Sequence, residues 1–136
     1  MICTSVQAAQ ETPSTNKIKV AVLVGGHDFD KNAFPKVFEP AKDLDVTYLP
    51  QKDDSEIFED ISAWPYDVIV MYNMTQRISE KRRANFLALL DKGVGLVALH
   101  HAVAAYEEWP EFHNIIGSYY YLDNNTVDGV KHVQGT

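Results

Sequence analysis

Apolar residues arrive along this chain in short, nearly unbroken runs, each closed by glycine, proline or a polar cluster. Ile18-Lys19-Val20-Ala21-Val22-Leu23-Val24 is rich in β-branched residues and ends at Gly25-Gly26, so it reads as a buried strand. Asp45-Val46-Thr47-Tyr48-Leu49, closed by Pro50, reads as a second strand, DVIVMY over 67–72 as a third, and residues 95–99 as a fourth. Between them the spacing turns helical. Phe34, Val37, Phe38 and Ala41 predict a helix over 32–44 that Pro40 kinks or splits. Asp53 or Asp54 can cap a short helix with Ile57, Phe58 and Ile61 on one face. Ser79 caps the clearest helix: Glu80 sits in its first turn, Phe86, Leu87 and Leu90 line a face, and Gly93 stops it. A last helix is expected around 108–116, ending at Gly117. Beyond Tyr121, LDNNTVDGVKHVQGT holds turn residues with little periodicity.

Strands alternating with helices about every 25 residues give the rhythm of βαβ units. The first, third and fourth strands lack polar alternation, as expected where helices cover both faces of a parallel sheet. The fold class expected is therefore a doubly wound, mostly parallel α/β sheet. The handedness of βαβ crossovers favours the flavodoxin-like order 2-1-3-4.

Composition narrows the function classes. The chain has 136 residues, 46% of them apolar and 23% charged, which suits one globular domain with a real core. A net charge of −7 with no Lys/Arg stripe argues against nucleic acid and against anionic membrane surfaces as partners. No run approaches the roughly 18 apolar residues of a membrane span. The single cysteine, Cys3, excludes an internal disulfide framework and a Cys-based zinc site. It falls in residues 1–17, a Ser/Thr/Gln/Ala-rich stretch that reads as a flexible leader ahead of a domain over 18–136. Val6-Gln7-Ala8 loosely resembles a cleavage site, so a remnant of an export signal is the other reading, although the charged and apolar regions of such a signal are absent. Cytoplasmic and exported locations both stay open.

In open α/β sheets, ligands bind beyond the carboxyl ends of the strands, at the switch point. Here the first strand runs into Gly25-Gly26-His27-Asp28, the third ends in Tyr72-Asn73, and the fourth in His100-His101. Strands one and four are two spacings apart, about 10 Å, so their side chains can converge on a small ligand. Gly25-Gly26 lacks the spacing of a dinucleotide loop and makes a tight turn or, at most, a phosphate cradle. Asp28 beside His27 is a local cap or a group that orients the imidazole. Successive strand residues point to opposite sides, so only one of His100 and His101 is expected to act directly, with His100 preferred. A metal held by His27, Asp28 and His100 or His101 lacks supporting spacing, and no cofactor is expected. Trp109, Phe112 and Tyr119 to Tyr121 read either as core or as stacking surface for a sugar ring. The run Lys52-Asp53-Asp54-Ser55-Glu56 reads as a solvated helix start.

VLVGGHDF, GVGLVALHHAV and EEWPEFHNIIGSYY together resemble the trehalose-utilisation (ThuA-like) family over about residues 17–121. That family is similar to the class I glutamine amidotransferase fold, which agrees with the architecture above. The resemblance implies carbohydrate metabolism, with trehalose-like or keto-sugars as substrates. Amidotransferases place a nucleophilic cysteine on the turn after the fourth strand, where this chain has His100-His101-Ala102. Without a thiolate no thioester forms, so glutaminase activity is excluded. Members of the family continue for roughly another hundred residues, the size of a full doubly wound domain. A sheet edge is therefore expected to await a partner or a second copy.

The expectation for function is an enzyme that processes sugars by histidine acid–base chemistry. His27, Asp28 and His100 are its catalytic candidates, and His101, Asn73, Trp109 and Gly26 would position the substrate. The alternative is a carbohydrate- or partner-binding domain that keeps the fold without catalysis. A third reading makes function depend on an oligomer.

Overall fold

The computed structural model describes residues 16–52, 54–127 and 129–135. Four strands, β1 (Ile18–Gly25), β2 (Leu44–Pro50), β3 (Val68–Asn73) and β4 (Gly95–Ala98), form one parallel sheet in the order β2-β1-β3-β4. This is the flavodoxin-like order expected. Val20 lies opposite both Val46 and Val68, and Val70 opposite Val97, so the pleats of all four strands are in phase.

The period-two alternation then sorts the apolar residues into two cores. Ala21, Leu23, Ile69 and Met71 face one side, where Phe58, Phe86, Leu89 and Phe112 close over them. Val20, Val22, Val24 and Val70 face the other, packed against Phe29, Phe34, Phe38, Tyr48 and Tyr72. Each fully buried Leu, Ile, Met or Phe stabilises the fold by about 1.5–3 kcal/mol relative to exposure. The first core carries the helices α1 (Glu80–Asp91) and α2 (Pro110–Ile116) and the 3-10 turn Glu56–Phe58. The second is closed by the aromatic segment between β1 and β2, whose regular structure is one 3-10 turn, Phe34–Val37.

That turn replaces the helix expected over 32–44. The Asp30 carboxylate accepts from the backbone N–H of Asn32 (2.8 Å) and Ala33 (2.9 Å), which favours an Asx turn over a helical start. Pro35 can only open a helix, and Pro40 offers no N–H to continue one. The short helix after β2 is likewise only the turn Glu56–Phe58. It is preceded by Ser55 in a left-handed conformation (φ 62°) rather than by an aspartate cap; Asp53 lies outside the described residues.

α1 forms where its signals sit. Ser79 is extended, its Oγ accepts from Arg82 N (3.4 Å), and its carbonyl accepts from Arg83 N (2.9 Å). Phe86 and Leu89 are its buried residues, while Leu87 and Leu90 pack half-buried against the same cluster, so the face is one residue wider than expected. α2 begins at Pro110, two residues later than expected, and stops at Gly117.

The stretch after Tyr121 contains an antiparallel pair, β5 (Asn125–Val127) and β6 (Val130–His132). Strands of three residues are too short to display alternation in sequence. Among the described residues the outer edges of β2 and β4 pair with no further strand. The leader expected over 1–17 lies almost wholly outside them. No described helix is long and apolar enough to cross a membrane.

Candidate functional site: histidines at the strand tips

β1 ends in two glycines with positive φ, Gly25 (137°) and Gly26 (76°). A Cβ on Gly25 would sit 2.4 Å from the Gln51 carbonyl oxygen, and one on Gly26 2.8 Å from the Met74 carbonyl carbon. The loop after β1 therefore lies directly on the backbones that follow β2 and β3, and only glycine fits. This turn lays His27 across the tip of β3. His27 Nε2 donates to the Tyr72 carbonyl (2.7 Å), and Nδ1 lies 3.0 Å from the Asp28 carbonyl. Both ring nitrogens therefore lie against backbone carbonyls, which fix the ring in place.

β4 ends at Ala98, Leu99 is extended, and His100 has φ 53° at the head of the 3-10 turn His100–Ala104. Left-handed backbone in a non-glycine residue costs about 1–3 kcal/mol and recurs at working sites. It also ends the strand alternation. His100 and His101 were expected on opposite sides; instead both rings join one cluster. Their centroids are 3.9 Å apart at 87°, His101 lies 4.2 Å from His27, and His100 lies 6.1 Å from His27 and 5.7 Å from Tyr72.

The three rings differ in environment. His100 is exposed, whereas His27 and His101 are half-buried. Among the described residues no hydrogen bond occupies the ring of His101, whose Nδ1 is shut away from solvent. Burial, then the adjacent His27 and His100, hold its pKa below the usual histidine value. His101 is thus an imidazole whose surroundings favour its neutral form. With His100 it lines a hollow of about 490 Å³ shared with Met74, Tyr120 and Gln134, a size suited to a small ligand. His27 lines a second hollow of about 460 Å³ with Asp28, Phe29, Lys31, Tyr48 and Gln51.

The structure brings His27, His100 and His101 together with the Gly26 turn, but it does not bring the other three candidates to them. Asp28 meets His27 through its backbone carbonyl, and its exposed carboxylate makes no bond to the ring. Asn73 is fully buried; its amide donates to Thr75 Oγ1 (3.0 Å), because the pleat sends Asn73 into the first core and Tyr72 towards the histidines. Trp109 is 4% exposed and packs on Phe86, Phe112 and Tyr106. Its core reading holds. Tyr72, expected only as part of a strand tip, is the aromatic neighbour of His27 and His100, as its pleat parity with Val70 dictates, and Tyr120, one of the aromatics expected as core or stacking surface, lines the hollow with the histidines.

Among the described residues, no group of three or more His, Cys, Asp or Glu side chains is arranged to hold a metal ion. A further hollow, of about 640 Å³, is lined by none of the three histidines. It lies at the start of α1, where Arg82 is already bonded to Asp54 (2.9 Å) and Glu59 (2.7 Å).

A solved structure from Parabacteroides merdae, of a protein described as thua-like, superposes with a TM-score of 0.64 at 23% sequence identity. The match covers 89% of this chain and 48% of that one, so the chain spans about half the length of this neighbour. No family model matches the sequence, and no curated protein matches it. The α/β fold that carries the histidine cluster is thus the fold of a thua-like protein, as the motifs in the sequence implied.

Proposed function

We propose that the chain belongs to a ThuA-like protein of carbohydrate metabolism that processes trehalose-like or keto-sugar substrates by histidine acid–base chemistry. One observation carries this reading: a half-buried His101, whose surroundings favour its neutral form, lines a hollow sized for a small ligand together with an exposed His100. Proton removal next to a keto group suits such a pair. His101 takes the proton, the C–H electrons move to the carbonyl oxygen, and a protonated His100 supplies a proton to that oxygen. His27, tied to two backbone carbonyls, holds the cluster in place, and Tyr120 offers a ring on which a sugar face can stack.

This assignment moves the acid–base role from His27 to His101 and gives none to Asp28. The test is turnover and calorimetric binding of a panel of keto-disaccharides and glycosides by the wild type, His101→Ala and His27→Ala. Turnover by wild type that is lost in His101→Ala supports the reading, and turnover retained in His101→Ala overturns it. Binding without turnover in the wild type selects the non-catalytic carbohydrate-binding alternative, which the exposed Tyr120 beside the same hollow favours.

A further inference from the structure

Three non-glycine residues among those described have left-handed backbone: Ser55, His100 and Tyr106. All three follow strand tips, Ser55 after β2 and the other two after β4. Two of them are joined. The Tyr106 hydroxyl and Ser55 Oγ are 2.8 Å apart, and both residues are buried, at 1% and 0% exposure.

The direction of the hydrogen bonds can be followed. Ser55 Oγ donates to the Arg77 carbonyl (3.2 Å), so it accepts from Tyr106. Next to this pair the Asn73 amide donates to Thr75 Oγ1 (3.0 Å), and Thr75 Oγ1 donates to the Lys52 carbonyl (3.3 Å). Burial pushes the Tyr106 hydroxyl up to about 12, so it stays a donor throughout the physiological range. The backbone closes the same knot: Tyr106 N donates to the Thr75 carbonyl (3.1 Å). One buried tyrosine therefore fastens the loops that follow β2, β3 and β4.

The position of this knot matters because of what lies between its ends. Leu99 N donates to the Met71 carbonyl (2.9 Å), anchoring the segment before His100, and Tyr106 anchors the segment after Ala105. Gln76 Nε2 bridges the Ala104 carbonyl (2.7 Å) to the β3 loop. His100 and His101 sit inside this clamp, with no hydrogen bond from either ring among the described residues.

We infer that Tyr106, with Ser55 and Asn73, is a positioning residue: the buried hydroxyl chain holds residues 99–106 in the turn that presents His100 and His101. The inference rests on the proposed role of those histidines, but its test needs no substrate. The histidine ring signals of the whole chain are followed by NMR against pH in the wild type, Tyr106→Phe and Ser55→Gly. Ser55→Gly deletes the hydroxyl link while removing the left-handed strain at that position, so it keeps the test open if Tyr106→Phe fails to fold. The expected result is a folded Ser55→Gly protein in which the His101 midpoint rises towards its ordinary 6.5 and the His100 signals shift, because the loosened turn hydrates the ring. A folded Ser55→Gly protein with unmoved His100 and His101 signals overturns the inference, whatever the sugar assays return. Conversely, loss of sugar turnover as the assigned activity leaves this measurement intact.

Discussion

The imidazole rings of His27 and His101 lie 4.2 Å apart at an angle of 35°, joining the tip of β1 to the segment after β4 across the end of β3. Two imidazoles this close disfavour a double positive charge. Their hydrogen bonding differs: both ring nitrogens of His27 face backbone carbonyl oxygens, whereas among the described residues the ring of His101 has no hydrogen-bond partner. The pair therefore works as one held ring and one free one.

Stability should depend on pH through this pair. Burial lowers the pKa of His101, and also of His113, below the usual value of 6.5. For a base with a depressed folded pKa, the unfolded chain binds more protons in the window between the two values. Stability is therefore full above 6.5 and is lost as pH falls from 6.5 through the depressed folded values. Urea unfolding at about pH 7.5 and about pH 5.5 should give a lower midpoint at the acid end, and His101→Gln should flatten the difference. Equal slopes for wild type and variant would count against a neutral, buried His101.

On the proposed acid–base role, His101→Ala should reduce sugar turnover by about 10²–10⁴-fold, the range for removing a positioned acid or base. Because both ring nitrogens of His27 lie against backbone carbonyls, His27→Ala should act mainly by loosening the cluster, with a smaller fall in rate and a loss of stability. Steady-state kinetics beside thermal melts separate these effects.

Gly26→Ala should be costly although the residue is exposed. The left-handed backbone alone costs about 1–3 kcal/mol, and the added Cβ meets the Met74 carbonyl carbon at 2.8 Å. A denaturation midpoint close to wild type would show that this turn is more pliable than its contacts indicate.

Phe86→Ala should destabilise the fold by about 3–5 kcal/mol, since Phe86 is fully buried between Phe58, Trp109 and Phe112 at the centre of the first core. Chemical denaturation followed by circular dichroism measures it. A loss below about 1 kcal/mol would mean that the core collapses freely around the missing ring.

Much of this molecule could be read in advance because its signals are local. The four apolar runs, their closing glycines and prolines, and the βαβ rhythm determine the strands and the order β2-β1-β3-β4 through the handedness of the crossovers. Ser79 and Gly93 mark α1 to within a residue or two, because capping is chemistry between near neighbours. Over 32–44 two local signals conflict, helical hydrophobic spacing against the turn chemistry of Asp30 and the prolines, and the turn prevails. Which side chains meet was another matter. Left-handed backbone at His100 turned two adjacent histidines into one cluster, the pleat exchanged Tyr72 for Asn73 at the site, and the core claimed Trp109. Those outcomes depend on a dihedral angle and on contacts between residues far apart in the chain. The sequence by itself determined which chemical groups stand at the strand tips, and only tertiary packing decided which of them face one another.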